Sequence, residues 1–197
     1  MIFQTPALDH TLLVLINQKL RALPLDIFMP IISSQSVLFG VGALLLLLTW
    51  YFKGRRQALL FLILVLGLGV TDATSNHIKK SVKRVRPLNA IPLTHFQEDG
   101  EWRQRPADFV QTKEAGSSYP SAHSANTMCL AILTMFLWPG LKKWPLLLPL
   151  VVGYSRVYLG KHYPTDVLAG WLYGVVTGVA VWLLWRYGLS RLMRCDR

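Results

Sequence analysis

VLFGVGALLLLLTWYF, residues 37–52, carries no charged side chain. A helix must be roughly 20 residues long to cross about 30 Å of hydrocarbon, so this stretch spans a bilayer once its flanks are added. The pattern recurs at 57–70, 122–139, 144–159 and 167–187, each completed by less apolar flanks such as 71–78. The expected fold is all-α, a polytopic transmembrane helical bundle of about five spans. Composition points the same way: 52% of the 197 residues are hydrophobic, 16% are charged and seven are Trp, unlike an ordinary soluble domain.

The beginning of the chain reads differently. Residues 8–23 mix Leu, Val and Ile with Asp9, His10, Asn17, Gln18, Lys19 and Arg21, and the apolar positions 8, 12, 15, 16, 20 and 23 recur at helical spacing. The spacing predicts an amphipathic helix lying in the membrane interface; a packed helix of a soluble bundle would show the same spacing. Residues 1–36 are therefore assigned to an amphipathic N-terminal region within one integral membrane domain covering 1–197. No signal peptide is expected, because a basic leader region and a small-residue cleavage site are both missing. Cys129 falls within a span and Cys195 in the basic tail, so two free thiols are expected and neither joins a metal-ligand cluster. The one long polar connection, 87–119, contains Pro87, Pro92 and Pro106; connections of this length are usually functional or disordered.

The net charge of +11 calls for a location. With five spans, the short basic segments 53–56 and 142–143 and the tail after Arg186 share one side, with Asp196 their one acid. That pattern marks the cytoplasmic side. The opposite side is also basic, with twelve Lys and Arg against nine, but most of its charges gather near three short stretches, as an anion site requires. A face for phospholipid headgroups or nucleic acid explains the charge and not its company; no nucleic-acid partner is expected.

In KKSVKRVRP, residues 79–87, Lys79 and Arg86 stand two helical turns apart and are expected on one helix face, with Pro87 ending the helix. A juxtamembrane cluster binding anionic lipids is the alternative. In YPSAH, residues 119–123, Pro120 and Ser121 open a helix whose first N–H groups lack partners and favour an anion. His123 lies in that first turn, where it can donate a proton, and small Ala122 lets a ligand approach the backbone. The alternative is a Ser cap beside a structurally satisfied histidine. In SRVYLGKHYPTD, residues 155–166, Arg156 offers a planar fork of donors suited to phosphate oxygens. His162 and Asp166 stand four apart across Pro164, so the carboxylate can fix the imidazole tautomer and leave the other nitrogen free to attack. A structural pair at a helix start remains open for these two.

Together the stretches read K-x6-R-P, P-S-A-H and S-R-x5-H-x3-D. This resembles the three-part signature of the type 2 phosphatidic acid phosphatase superfamily, which includes bacterial lipid phosphatases, glucose 6-phosphatase and vanadium haloperoxidases. Order and spacings agree, over about 37–190. One departure is Ala122, where the family commonly has Gly; it adds a methyl group to the pocket. The resemblance implies a lipid phosphatase that uses no cofactor and no metal. His162 would attack phosphorus, Asp166 would orient it, and His123 would protonate the leaving oxygen and then activate water. Lys79, Arg86, Ser121, Ala122 and Arg156 would line the phosphate site, the cations and hydroxyl stabilising the transition state. Loop 87–119 would lie outside the membrane over that site.

The resemblance further implies a multi-pass protein of a bacterial cytoplasmic (inner) membrane, with the site facing the periplasm or outside. Its partners would be membrane lipids and a lipid phosphate substrate. Undecaprenyl diphosphate leads, ahead of phosphatidylglycerol phosphate, phosphatidic acid and lipid A 1-phosphate. A vanadate-dependent oxidase and a lipid-binding or lipid-moving protein are the rivals from other classes. Asp72 and Asn76 share a helical face with Lys79, and Asp72 is expected to pair with a basic residue. Trp50, Trp138, Trp144 and Trp185 lie near span ends as interfacial anchors.

Overall fold

The computed structural model describes residues 5–111 and 113–189; Cys195, Asp196 and the basic tail beyond Arg186 from Arg191 onward lie outside the described residues. The chain is built almost wholly of helices: α1 Ala7–Leu13, α2 Leu23–Ile32, α3 Gln35–Lys53, α4 Arg55–Leu59, α5 Phe61–Val82, α6 Ala122–Leu137, α7 Leu147–Tyr158 and α8 Pro164–Leu184. Several boundaries have a local cause. Gly54, at φ 80, ends α3 in a conformation that favours glycine, Ser121 caps α6, and Pro164 occupies the first turn of α8, where its missing N–H costs nothing.

Among the described residues, three helical segments are long and apolar enough to cross a membrane: Gln35–Lys53, Arg55–Asn89 and Pro164–Gly188. At the other two places where the sequence predicts spans, α6 has 16 residues and α7 has 12. α7 gains a turn from the 3-10 segment Trp144–Leu146 that leads into it. None of the side chains of α3 is buried, as suits a helix surrounded by hydrocarbon.

The core is the packing of α6 between α5 and α8. Ile63, Cys129, Leu133 and Val181 form its apolar centre. Small residues let the backbones approach: a Cβ on Gly174 would stand 2.3 Å from the Ala125 carbonyl, and one on Gly67 would stand 2.4 Å from Leu133. Thr71 and Thr177 meet at 2.9 Å across α5 and α8, and each hydroxyl also bonds its own helix, to Gly67 O and Tyr173 O, so neither hydroxyl is stranded.

Three expectations are corrected. First, α5 stops at Val82, where Lys83 turns left-handed at φ 54, so Arg86 lies in extended chain and not on the helix face of Lys79. The helix ends early because residues 83–84 pair instead with the loop before α6, through Gly116 N to Lys83 O and Ser118 N to Arg84 O, both 2.9 Å. Second, Asp72 makes no ion pair among the described residues: it accepts from the Asn126 amide at 2.9 Å and acts on Lys79 only as a nearby charge. Third, connection 87–119 contains a hairpin, His95–Glu98 against Glu101–Gln104, turned by Asp99 and Gly100 at φ 52 and 84.

The N-terminal helix continues as π-helical turns over Val14–Lys19. Its inward face carries two polar residues beside one apolar one: Asp9, Leu13 and Asn17 are buried, while Leu8, Leu15 and Leu20 are exposed. The Asn17 amide donates to the carbonyls of His95 and Tyr158 at 2.8 and 2.7 Å, which ties this helix to the hairpin and to α7.

Candidate active site

The three motif stretches and the residues beside them are joined by backbone hydrogen bonds. Ser118 N donates to Arg84 O at 2.9 Å, Ser121 N to Asp166 O at 3.0 Å, and Leu88 N to Gly160 O at 3.0 Å. Each bond links a different pair of stretches, so the three close on one another at one end of the bundle. Two glycines allow the closure. A Cβ on Gly170 would meet Ser121 O at 2.6 Å, and one on Gly160, which sits at φ 64, would meet Thr94 at 2.6 Å.

His162 is buried in the turn between α7 and α8. Its Nδ1 stands 2.8 Å from the Ser118 carbonyl oxygen. A carbonyl has no proton to give, so Nδ1 must be the donor, and in the neutral ring Nε2 then carries the lone pair. Asp166 Oδ2 lies 3.7 Å from the same nitrogen, beyond hydrogen-bond length. The hydrogen bond that sets the tautomer is thus made by Ser118, and Asp166 acts on the ring as a close charge.

Asp166 is itself fully held. Its Oδ2 accepts from Ser118 Oγ at 2.5 Å and Tyr163 N at 2.9 Å, and its Oδ1 from Arg84 Nη1 at 2.5 Å. Burial pushes the His162 imidazole down to about 4, opposed by Asp166 and assisted by Arg156 and Arg86. The ring is therefore neutral, with a free Nε2, at any pH well above that.

His123 occupies the first turn of α6, half-buried, and lies within electrostatic reach of Arg156, His162, Lys161 and Lys79. Ser121 is the helix cap: its Oγ accepts from Ser124 N and from Ser124 Oγ. A hydroxyl that accepts twice still has its own proton to donate. Lys79, in the last turn of α5, lies within electrostatic reach of Arg86 and Arg156. Arg156 donates to Ser33 Oγ at 2.6 Å and Arg86 to Ser117 Oγ at 3.4 Å. The Nε of Arg86 and the Nε of Arg156 are buried without a partner, a state that calls for an acceptor from outside the chain. Ala122 is half-buried beside His123. The geometry brings every sequence-predicted site residue to this one end. Among the described residues no three of His, Cys, Asp and Glu stand together as a metal site.

Three participants escape the motif reading. Ser118 holds both His162 and Asp166, Arg84 grips Asp166 from behind, and Lys161 faces the same pocket, where burial, Arg156 and Arg86 together pull its ammonium down to about 8. Ser118 belongs to the hydroxyl-rich run before Pro120, and a polar residue just ahead of a cap was the available signal.

Neutral imidazole, a carboxylate behind it, a second imidazole and guanidinium groups with unpartnered Nε atoms can receive a phosphoryl group and move one proton. The sequence pattern of the PAP2 superfamily matches residues 60–189. The chain belongs to the PAP2 superfamily. It is 30% identical over 162 residues to the undecaprenyl-diphosphatase of Sulfolobus acidocaldarius, covering 80% of this chain and 68% of that one. Over 152 residues it is 32% identical to phosphatidylglycerophosphatase B of Bacillus subtilis, covering 71% of this chain and 61% of that one. Its fold is similar to that of Aquifex aeolicus LpxE, with a TM-score of 0.67 at 24% identity over 92% of this chain and 98% of the other. The three motifs of this PAP2 chain all lie within the matched span or at its helix starts.

Proposed function

We propose that this chain, a membrane lipid phosphatase of the PAP2 type, hydrolyses its substrate through a phosphohistidine on His162. The observation that carries the reading is the His162 Nδ1 to Ser118 O bond of 2.8 Å, which leaves Nε2 unprotonated and free to attack. Nε2 bonds to phosphorus while the bond from phosphorus to the leaving oxygen breaks, and His123 gives that oxygen its proton. Water then attacks the phosphohistidine, its proton passes to His123, the phosphorus–nitrogen bond breaks, and both histidines return to their starting states. Lys79, Arg86, Arg156 and the Ser121 hydroxyl hold the phosphoryl oxygens and balance the charge that builds on them. Ala122 keeps the backbone N–H groups of the first α6 turn within reach of the same oxygens.

Undecaprenyl diphosphate is the proposed substrate, supported by the Sulfolobus acidocaldarius relative named for that activity; the leaving group is then undecaprenyl phosphate. Phosphatidylglycerophosphate is the second reading, supported by the Bacillus subtilis relative. Phosphate release from a panel of these lipids, phosphatidic acid and lipid A 1-phosphate in detergent, with and without a chelator, decides among them. Activity should survive excess chelator and fall in vanadate, because fixed cations here do the work of a metal. Inactivation by chelation that magnesium reverses would contradict the proposal.

The site is proposed to face away from the cytoplasm of a bacterial inner membrane under loop 87–119, supported by the short basic segments 53–56 and 142–143 near span ends. Single cysteines at exposed Ser117 and Gly188, with Cys129 and Cys195 replaced, test it by labelling with an impermeant maleimide. Ser117→Cys should react on intact spheroplasts and Gly188→Cys only after lysis; the reverse order contradicts the orientation.

A further inference from the structure

Asp9 lies in α1, far in sequence from every motif and outside the span 60–189 matched by the family. Its side chain is nevertheless 1% exposed and meets Arg84, itself 2% exposed. Asp9 Oδ2 accepts from Arg84 Nη2 at 2.6 Å and Asp9 Oδ1 accepts from Thr165 N at 2.9 Å. The other arm of the same guanidinium, Nη1, reaches Asp166 Oδ1 at 2.5 Å and Thr165 Oγ1 at 2.8 Å. The Arg84 guanidinium also lies 4.0 Å over the Tyr163 ring. Asp9, Arg84, Asp166 and His162 thus stand in one buried line.

A charge of one sign pressed between two of the other has a net value, and that value matters here. Arg84 alone would cancel Asp166, and a cancelled pair gives little help to an imidazole that must become positive when Nε2 takes the phosphoryl group and Nδ1 keeps its proton. With Asp9 on the far arm, the group of three carries one net negative charge. The same contact fixes Arg84, which otherwise could swing its bidentate fork wholly onto Asp166 and draw that carboxylate further from the ring.

We propose that Asp9 is a positioning residue of the phosphatase reaction, acting through Arg84 to hold Asp166 in place and to keep the group behind His162 net negative. This rests on His162 being the nucleophile. It makes the N-terminal helix part of the site, held there by buried Asp9, Leu13 and Asn17 while Leu8, Leu15 and Leu20 are exposed.

The test uses the full chain in detergent and phosphate release from undecaprenyl diphosphate, with turnover counted per vanadate-titrated site so that a poorly folding variant still reports. Asp9→Asn keeps shape and removes the charge; kcat should fall roughly tenfold, within the range for members of one ion network, with KM little changed. Asp9→Glu should stay closer to wild type than Asp9→Asn. The discriminating variant is Asp9→Asn with Arg84→Met, which removes one charge of each sign and restores the single net negative charge on Asp166. Its kcat should exceed that of Asp9→Asn alone. A merely structural Asp9 gives the opposite order, since two packing losses add, and that order or wild-type kcat in Asp9→Asn overturns the proposal. If His162→Ala still turns over, the nucleophile reading fails; if His162→Ala is dead and the double variant shows no recovery, only the role of Asp9 fails.

Discussion

The carbonyl oxygen of Ser118 is 2.8 Å from Nδ1 of His162, nearer to it than the Asp166 carboxylate at 3.7 Å. The backbone of the second motif thereby fixes the tautomer of the third motif's histidine. Because that acceptor is main chain, Ser118→Ala retains it and removes only the hydroxyl that donates to Asp166 Oδ2. The loss of one hydrogen bond to a charged group is worth about 1.5–3 kcal/mol, and Arg84 and Tyr163 N still hold the carboxylate. Turnover of Ser118→Ala should fall about tenfold, at the low end of that range. Inactivity equal to that of His162→Ala would show that the hydroxyl, and not the carbonyl, does the positioning.

Nucleophile and acid act at different points, so their loss should look different. His162→Ala abolishes turnover. His123→Ala leaves a slow reaction whose deficit, about 10²- to 10⁴-fold for a lost general acid, shrinks as the leaving group improves, because an easily expelled group needs less protonation. Rates measured on alkyl and nitrophenyl phosphates decide it. Equal losses for both variants across leaving groups contradict the assignment of roles.

Lys161 sets an alkaline limit. Its ammonium, pulled down to about 8 by burial and then by Arg156 and Arg86, is charged below that pH and neutral above it, so attraction for the substrate anion is lost as pH rises through about 8. The kcat/KM profile, which reports the free enzyme, should bend downward there. Lys161→Arg keeps its charge to far higher pH and should move that limb upward. An unchanged limb in Lys161→Arg assigns the titration to another group.

Packing of α6 on α8 depends on glycine. A methyl group at Gly174 would press on Ala125 O at 2.3 Å and the Met128 Cβ at 2.8 Å, both unable to yield cheaply, and overpacking of this kind costs about 1–3 kcal/mol. Gly69 has nothing within 4 Å of the same position, so Gly69→Ala should be neutral or stabilising by up to about 1 kcal/mol. Thermal unfolding in detergent should lower the midpoint for Gly174→Ala and not for Gly69→Ala. Equal midpoints would mean that the two helices are not packed as described.

Much of the fold is legible because a bilayer imposes a single demand on length and polarity, and residues 37–52 or 167–187 answer it without reference to any partner. What escapes is decided between distant segments. α5 ends at Val82 because residues 83–84 find hydrogen-bond partners at 116–118, and Pro87, the local signal, comes too late to show it. The hairpin did have a local signal, Asp99-Gly100 flanked by Phe96 and Trp102, hidden by its setting in a charged, proline-bearing loop. His123, His162 and Asp166 are readable because their spacing repeats a known chemistry. Asp9 is not, because an acid among leucines acquires its meaning only when Arg84, 75 positions later, closes on it.

The stereochemical course at phosphorus tests the central claim most directly. Each in-line displacement inverts the configuration, so a reaction that passes through His162 inverts twice and a direct attack by water inverts once. The measurement takes a lipid carrying a thiophosphoryl group made chiral by its sulfur and oxygen isotopes, hydrolyses it in isotopically labelled water, and reads the configuration of the thiophosphate released. Retention is the result expected of a phosphohistidine intermediate, whether or not that intermediate accumulates. Inversion would mean that water attacks the substrate itself and that His162, held by Ser118 at 2.8 Å, is not the nucleophile.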